Sequence, residues 1–274
     1  MADLVLGMEI GGTKLQAALG TREGNILAIE RGAAPAAKGA EGIIEWFKTA
    51  VPRLLASDAA GQQHPAAMGV GFGGPVDSAT GSVLKSHQVG GWDGFPLKQW
   101  FESQFKLPVS VVNDSNAAGW AEFCLGAGRG TQHFCYMNIG SGIGGALVID
   151  GKLHDGQGRG AAEIGHTCVP DWTSAKLGAA GKLENICSGW AIEKRIRQTL
   201  KPTPGSPLER LCEGDPNTLT CAMLGEAARQ HDAMALEELE RVAESIGIAL
   251  ANVITLVHPE RAALGGGVSL LGDV

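Results

Sequence analysis

The sequence predicts an α/β fold, and three observations carry that prediction. Short apolar runs typical of β-strands recur along the chain, at residues 4–10, 66–72, 109–112, 134–139, 146–149 and 261–264. Two longer segments, 41–57 and 233–257, space their apolar side chains three and four residues apart, as amphipathic helices do. Glycine clusters follow several of the apolar runs, which favours turns where the backbone approaches a ligand. Strands mixed with helices in this way are typical of α/β architecture.

Length and composition exclude several classes of protein. The chain has 274 residues, of which 44% are hydrophobic and 19% charged, so it is a globular protein with one large domain or two smaller ones. No apolar run reaches the ~18 residues of a membrane span, and the first residues lack the features of a signal peptide. The net charge of −7, without a Lys/Arg cluster, argues against nucleic acid as a partner. Six scattered cysteines without a CxxC pair indicate reduced thiols. We therefore expect a cytoplasmic protein that binds neither nucleic acid nor membrane.

A change in sequence character near residue 115 predicts a domain boundary. Residues 1–115 alternate strands with one long helix, whereas residues 116–274 contain a glycine-rich hairpin and the second long helix. Within the second part, residues 201–207 are rich in proline and glycine and are predicted to form a loop.

The first glycine cluster follows the first apolar run. Gly11 and Gly12 leave backbone N–H groups open to an anion, while Thr13 adds a hydroxyl and Lys14 a positive charge. Glu9 suits a hydrated Mg²⁺, which takes only one or two protein carboxylates. A plain β-hairpin turn with a solvated lysine accounts for the same residues equally well.

The second glycine cluster, GSGIGG at residues 140–145, matches the G-x-G-x-x-G pattern of dinucleotide-binding proteins. In those proteins a helix follows the glycines, whereas here residues 146–149 read as a strand that ends in an Asp-Gly turn. We therefore predict a hairpin whose backbone amides, with the Ser141 hydroxyl, can hold phosphate. A dinucleotide-dependent oxidoreductase stays a minor alternative.

The third glycine cluster follows the last apolar run and consists of Gly265, Gly266 and Gly267. Three glycines allow a flat ligand to lie against the backbone. A loose turn explains them without any ligand.

Polar residues between these clusters are the candidates for chemistry. Asn113 and Asp114 follow the run 109–112, at the strand end where α/β folds bind ligands. A carboxylate there can take a proton from a substrate hydroxyl, but both residue types also favour helix caps, and a helix is predicted to begin at residue 115. Taken alone, the cap is the favoured interpretation.

A second polar group consists of Glu163, His166 and Glu184. The first two share a face if their segment is helical or forms a turn, and such groups suit a polyhydroxylated ligand. The spacing of His166 from Cys168 and Cys187 matches no usual zinc pattern.

Taken together and in this order, these segments resemble the ROK family of sugar kinases, which includes bacterial glucokinases, N-acetylmannosamine kinases and fructokinases. The likeness covers nearly the whole chain. The segments that carry it are EIGGTK, GGPVDSATG, GW with FPL, VVNDSNAAGWAEFCLGAGRG, NIGSGIGGALVIDGKLHDGQGRGAAEIGH and HPERAALGGGVS. Each is weak alone, and their order makes the resemblance specific.

The resemblance implies the two-domain, actin-like (ribonuclease H-like) ATPase fold with the active site in the interdomain cleft. It also implies ATP-dependent phosphorylation of a hexose or N-acetylhexosamine, with Asp114 as the general base. By position, the residues that bind sugar are Asn113, Glu163, His166, Glu184 and Gly74. Those that bind the phosphates of ATP are Gly11, Gly12, Thr13, Lys14, Ser141 and Gly142. Those near the adenosine are Gly265, Gly266 and Gly267. Glu9 is placed to hold Mg²⁺ through water, and related kinases lead us to expect a homodimer or higher homo-oligomer.

The sequence departs from the family pattern at several points. Glu9 stands where the family usually has Asp. Ala175, Leu177 and Lys182 replace cysteines of the family's zinc motif, so no zinc is expected. The chain ends shortly after the last glycines, whereas the family normally continues with a further helix. Gln88 stands where the family often has an Asn near the sugar.

Two questions of function stay open at this point. Kinases of several sugars share these segments, and glucose is expected only as the commonest substrate, with either ATP or polyphosphate as donor. A sugar- or nucleotide-binding sensor without catalysis is the alternative function, since Glu9 and the short C-terminus favour it. The family's repressors carry an N-terminal DNA-binding segment, for which the residues before Glu9 leave no room.

Overall fold

The computed structural model describes residues 4–34, 38–61, 63–86, 89–157 and 161–271. Packing divides them into two compact units. Unit 1 comprises the residues up to 129 together with 152–161, and unit 2 comprises 130–151 and the residues from 162 onward. The predicted boundary at residue 115 stays a prediction, and the helix that begins there packs within unit 1.

Unit 1 is built on a five-stranded sheet. Its strands are β1 (Leu4–Ile10), β2 (Lys14–Thr21), β3 (Ile26–Ala33), β4 (Ala67–Phe72) and β7 (Val109–Asn113), in the order β3-β2-β1-β4-β7. A two-stranded hairpin, β5 (Val76–Asp77) and β6 (Ser82–Val83), lies between β4 and β7 in the chain. The helices are α1 (Gly39–Leu55), α2 (Leu97–Phe105) and α3 (Asp114–Leu125).

The core of unit 1 follows from its sequence periodicity. Every second residue of β1 is buried, from Leu4 to Ile10, and α1 buries one stripe that includes Phe47 and Val51. The predicted strands 4–10, 66–72 and 109–112 and the helix 41–57 are confirmed to within a few residues.

The described residues of unit 2 contain a second sheet and five helices. Its sheet strands are β8 (Phe134–Ile139), β9 (Ile143–Ile149) and β13 (Arg261–Gly265), in the order β9-β8-β13. A short strand, β10 (Lys152–Leu153), belongs to the segment 152–161 of unit 1. A separate antiparallel pair consists of β11 (Cys168–Pro170) and β12 (Ala180–Lys182). The helices are α4 (Leu183–Cys187), α5 (Gly189–Thr199), α6 (Pro207–Leu211), α7 (Cys221–Arg229) and α8 (Ala233–Val257).

The predicted helix 233–257 is confirmed to the residue. Asp232 caps it by accepting hydrogen bonds from the backbone N–H groups of Met234 and Ala235, and His258 ends it in the left-handed conformation. The predicted strands 134–139, 146–149 and 261–264 are present, with β9 beginning three residues earlier than predicted.

All six cysteines have free thiols. Burial raises the pKa of Cys135, Cys187 and Cys221 to about 11, so these thiols are protonated at neutral pH.

Within the described ranges, no helix combines the length and the apolar character needed to cross a bilayer.

Candidate functional site

The three parallel strands of unit 1 end side by side. The register pairs Ile10 of β1 with Phe72 of β4, and Phe72 with Asn113 of β7. The residues that follow these strand ends, which include Gly11, Gly73 and Asp114, therefore lie along one edge of the sheet. This is the edge at which parallel α/β sheets bind ligands.

The first glycine cluster forms the turn of a hairpin between β1 and β2. The Gly11 N–H donates to the Lys14 carbonyl oxygen at 3.1 Å, and the Ala34 N–H donates to the Thr13 carbonyl at 2.9 Å. Gly12 is half-buried, whereas the side chains of Thr13 and Lys14 are exposed. The hairpin interpretation is confirmed, and phosphate binding by this turn stays a prediction.

Asn113 is the N-cap of α3. Its side-chain oxygen accepts from the Ser115 N–H at 3.0 Å and the Asn116 N–H at 3.2 Å, which satisfies two of the free donors at the helix start. Its amide nitrogen donates to the Gly74 carbonyl at 3.2 Å. Gly74 is closely packed, since a Cβ there would lie 2.9 Å from the Lys85 carbonyl oxygen. The favoured cap interpretation is therefore confirmed.

Asp114 is the first residue of α3 and lies against the glycines of the sheet edge. Its Oδ1 accepts from the Ser115 N–H at 2.7 Å, and a Cβ on Gly73 would lie 3.4 Å from its Oδ2. Burial raises the pKa of Asp114 above its ordinary value, and the nearby Glu9 carboxylate adds to the rise, while hydrogen bonds from Ser115 oppose it. A half-buried carboxyl with a raised pKa at a ligand-binding edge has the properties of a general base.

Glu9 lies near the end of β1 with its side chain exposed. It is paired across the hairpin with Gln16, and the Gln16 amide donates a hydrogen bond to Glu9 Oε2. Oε1 has no hydrogen bond to any of the described residues, so it is open to a hydrated cation.

The second glycine cluster is confirmed as a hairpin turn, between β8 and β9, rather than the start of a helix. Glu184 of α4 holds this turn, because its Oε2 accepts from the Ile143 N–H at 2.8 Å. Gly142 leaves room for that carboxylate, since a Cβ there would lie 2.6 Å from the same oxygen. The Gly140 carbonyl accepts from the Gly189 N–H at 2.8 Å, and the Ser141 side chain is exposed.

Glu163 precedes a 3-10 turn at Ile164–His166, and His166 is its last residue; the two side chains lie close together, as predicted. His166 Nδ1 is 3.7 Å from Glu163 Oε2, and the two side chains are 52% and 62% exposed. Such exposure leaves both side chains accessible to a ligand. The turn packs on the β8–β9 hairpin through Gly165, where a Cβ would lie 3.0 Å from the Ile143 Cβ.

Two glycines of the third cluster are required by packing within the chain. A Cβ on Gly265 would overlap the Tyr136 ring, and one on Gly266, whose φ is +90°, would overlap the Ile139 carbonyl. Gly267 has open space around its Cα. The Val268 N–H donates to the Ile139 carbonyl at 2.9 Å, so this segment lies beside the β8–β9 hairpin.

The stretch that corresponds to the family's zinc motif, residues 175–182, completes the loop after β11 and includes β12. Asp171 orders the start of this loop by accepting from both the backbone N–H and the hydroxyl of Thr173, at 3.0 and 2.6 Å, and its own N–H donates to the Ala179 carbonyl at 2.8 Å. Leu177 is fully exposed, and Lys182 is paired with Cys168 across the strands. Among the residues that the structure describes, no three His, Cys, Asp or Glu side chains converge to hold a metal ion. The absence of zinc stays a prediction, and Gln88 lies outside the described residues.

Comparison with known proteins identifies the family. The sequence model of the ROK family matches residues 5–274. The chain belongs to the ROK family. It is 33% identical to a glucokinase from Streptomyces coelicolor over 99% of this chain and 84% of that protein. A crystal structure of a ROK family glucokinase from Streptomyces griseus, in complex with glucose and AMPPNP, matches with a TM-score of 0.80 and 35% identity. That match covers 98% of this chain and 85% of the other. ROK glucokinases have the actin-like ATPase fold, so the fold prediction is confirmed.

The ROK family also contains proteins that regulate transcription. A putative xylose repressor from a Caldicellulosiruptor species is 26% identical over 99% of this chain and 67% of that protein. Family membership therefore supports a sugar kinase without deciding activity, which depends on the site.

Proposed function

We propose that this protein is an ATP-dependent hexose kinase, with glucose as the expected sugar and Asp114 as the general base. In this reaction Asp114 takes the proton of a sugar hydroxyl, the hydroxyl oxygen bonds to the γ-phosphorus of ATP, and ADP leaves. The observation that carries the proposal is the half-buried Asp114 carboxyl, with its raised pKa, at the edge where three parallel strands end.

The cap formed by Asn113 supports the role of Asp114. Because Asn113 supplies the acceptor for two helix-start donors, Asp114 is not needed as the cap. Its Oδ1 accepts from Ser115, and its Oδ2 faces the glycines of the sheet edge. One amide hydrogen of Asn113 is used by Gly74, which leaves a second for a sugar hydroxyl.

Sugar binding by unit 2 is proposed for Glu163, His166 and Glu184. The exposed carboxylate and imidazole of the first two suit separate hydroxyls of one sugar. Glu184 contacts the hairpin turn through Oε2, so only its other oxygen is open for a hydroxyl. In this proposal Glu184 therefore both holds the hairpin turn and binds a sugar hydroxyl.

Each glycine turn, taken by itself, has features that suit the phosphates of a nucleotide. Gly11 and Gly12 present backbone without side chains, and the exposed Thr13, Lys14 and Ser141 add donors and one positive charge. Glu9 retains one free carboxylate oxygen, which fits a Mg²⁺ ion held through water. Bound Mg²⁺ supplies neutralisation of the phosphate charge.

A sugar sensor without catalysis is the second candidate function. It is favoured by Glu9, which is one methylene longer than the Asp usual in ROK kinases, and by the likeness to a putative repressor. The retained Asp114 favours the kinase.

A coupled ADP-release assay with Mg²⁺-ATP, across a panel of hexoses and N-acetylhexosamines, tests the proposal. We expect turnover with one sugar above all others, and glucose first. A parallel run with polyphosphate in place of ATP, read by formation of the sugar phosphate because no ADP is released, identifies the donor. If folded protein binds a sugar but releases no ADP with any of them, the sensor function replaces the kinase.

A further inference from the structure

A groove between α5 and α8 in unit 2 has no role in the proposed reaction. Its volume is about 560 Å³, within the range of small-molecule sites. It is lined by Lys194 and Gln198 of α5, Arg241 of α8, Asn185 of α4 and Trp172 of the loop after β11. We call it the α5–α8 groove. None of its residues is assigned to sugar, phosphate or adenosine binding.

The groove contains a buried ion pair. The side chains of Arg195 and Glu238 are only 12% and 8% exposed, and Arg195 Nε donates to Glu238 Oε1 at 2.8 Å. Arg195 also donates through Nη1 to the Ile186 carbonyl at 2.7 Å, and its guanidinium lies 4.5 Å from the centre of the Trp172 ring. These contacts neutralise the pair and fix its geometry, so it forms a rigid part of the groove wall.

The other charges of the groove leave a positive excess. Arg241 donates through Nη2 to Glu237, and its guanidinium lies 5.5 Å from the centre of the Trp172 ring. Its remaining N–H groups have no hydrogen-bond acceptor among the described residues. Lys194 is exposed and has neither an ion pair nor a hydrogen bond with any part of the chain that is described. Three cations against two carboxylates give the groove a charge of +1, in a chain whose net charge is −7. This local reversal of charge favours an anionic ligand.

The volume and the side-chain amides of the groove indicate which kind of molecule carries the anionic group. The volume exceeds what a bare phosphate needs, and the lining adds the side-chain amides of Asn185 and Gln198, which have no hydrogen-bond partner among the described residues. Amides both donate and accept, which is what a hydroxyl group requires. A phosphate ester carries about two negative charges at neutral pH and offers strong acceptor oxygens to Lys and Arg.

We propose that the α5–α8 groove binds a small phosphate monoester of a polyhydroxylated molecule, of the size of a hexose phosphate. Lys194 and Arg241 contact the phosphate, and Asn185 and Gln198 contact hydroxyl groups. The site goes beyond the proposed kinase activity, since binding requires no phosphoryl transfer.

Equilibrium dialysis with labelled glucose 6-phosphate, in the presence of saturating glucose, tests this site. We expect the wild-type chain to bind one equivalent, and Lys194→Ala and Arg241→Ala each to weaken binding by at least about tenfold. The matched control is Lys176→Ala, which removes another exposed lysine of unit 2 that does not line the groove, and it should bind as the wild type does. Gln198→Ala should weaken binding of glucose 6-phosphate without changing that of inorganic phosphate.

Several results would overturn the proposal. Absence of binding to the folded wild-type chain, or equal binding by the Lys194 and Arg241 variants, removes the site. Inorganic phosphate that binds as tightly as glucose 6-phosphate removes the polyol part. A change in molecular mass of the two variants, measured by light scattering, would show that the groove is a contact surface between copies of the chain. Each readout is independent of ADP release, so failure here is distinguishable from failure of the kinase proposal.

Discussion

The two hairpins that carry glycine turns are alike in topology and differ in what holds them. Each turn has a backbone hydrogen bond of its own, from the Gly11 N–H to the Lys14 carbonyl in unit 1 and from the Gly140 N–H to the Gly142 carbonyl in unit 2. The unit 1 turn is held further by the backbone N–H of Ala34, whereas the unit 2 turn is held further by the Glu184 carboxylate and by the start of α5. The difference teaches that one glycine turn relies on backbone contacts, while the other also depends on a side chain some forty positions away.

The carboxyl groups near the two hairpins differ as well. Asp114 of unit 1 is half-buried, with a pKa raised first by burial and further by Glu9, whereas Glu163 of unit 2 is mostly exposed and Glu184 is hydrogen-bonded to the backbone. We therefore expect the proton transfer to depend on unit 1 and the shape of the turn to depend on unit 2.

The largest expected effect is that of Asp114→Asn. If Asp114 is the base, kcat falls by at least ~10², while sugar affinity is retained because the amide keeps the size of the side chain. Steady-state kinetics and a sugar titration measure the two quantities. Asp58→Asn, at an exposed carboxyl of the same unit, is the control. Turnover near that of the wild type would reject the assignment of Asp114.

Gly266→Ala should destabilise unit 2 by roughly 2–4 kcal/mol, because it combines a positive φ with overlap on the Ile139 carbonyl. The matched control is Gly267→Ala, which has open space and should change the free energy of unfolding by less than about 0.5 kcal/mol. Urea unfolding of both variants compares them. Equal stability of the two would contradict the packing role given to Gly266.

Glu184→Ala should lower the free energy of unfolding by about 1–2 kcal/mol, since the Ile143 N–H loses its acceptor. Glu163→Ala should change it by less than about 0.5 kcal/mol, because that side chain is exposed. Both variants should weaken sugar binding, so thermal unfolding is the readout that separates them. Equal stability of the two variants would show that Glu184 does not hold the hairpin.

The pH dependence should report the carboxyl of unit 1. Because the pKa of Asp114 is raised, the acid limb of kcat/KM should lie above the ordinary value of 3.8, and Glu9→Gln should move it to lower pH by removing a like charge. The pH dependence of folding stability linked to Asp114 has the opposite sign to that of a salt-bridged carboxyl, whose pKa is lowered by folding. Stability linked to Asp114 is present below its unfolded pKa and is lost as pH rises through its folded pKa. Asp114→Asn should therefore raise the melting temperature at neutral pH and leave it unchanged in acid. An acid limb of kcat/KM at the ordinary carboxyl pKa of 3.8 would contradict the burial of Asp114.

The smallest effect concerns the loop between β11 and β12. Since Asp171 and Thr173 hold this loop by hydrogen bonds, chelation with EDTA should leave the melting temperature unchanged. Metal analysis should find no stoichiometric zinc. One zinc per chain would show that unit 2 depends on a metal as well as on Glu184.

The sequence was most informative where local periodicity and turn chemistry act together. The strands β1, β4, β7 and β8 are strongly apolar, and α8 repeats its apolar spacing over many turns, so their bounds were readable. The strands β2 and β3 were missed. The alternating pattern of β2 is weakened by its small alanines, and β3 has no fully buried residue. The helices α4 and α6 are too short for a periodic pattern.

The contacts that shape the site had no local signal. Glu184 reaches Ile143 across 41 residues, and the packing of Gly265 on Tyr136 joins segments that are far apart in the chain. Only the order of the family-like segments connected these residues before the structure did. The Asn113 cap, in contrast, follows directly from residue type and position.

The edge of unit 1 also sets an order for folding during synthesis. Ile10, Phe72 and Asn113 become neighbours only when β7 joins β4, although the first hairpin can form as soon as residues 4–21 leave the ribosome. Contacts between residues so far apart in sequence form late, because the entropy cost of closing a long loop comes before the contacts can stabilise the chain. We therefore expect Asp114 to gain its buried surroundings among the last events in the maturation of unit 1. A nascent chain interrupted before residue 113 would have formed the glycine turn between β1 and β2 but would lack Asp114, the proposed general base.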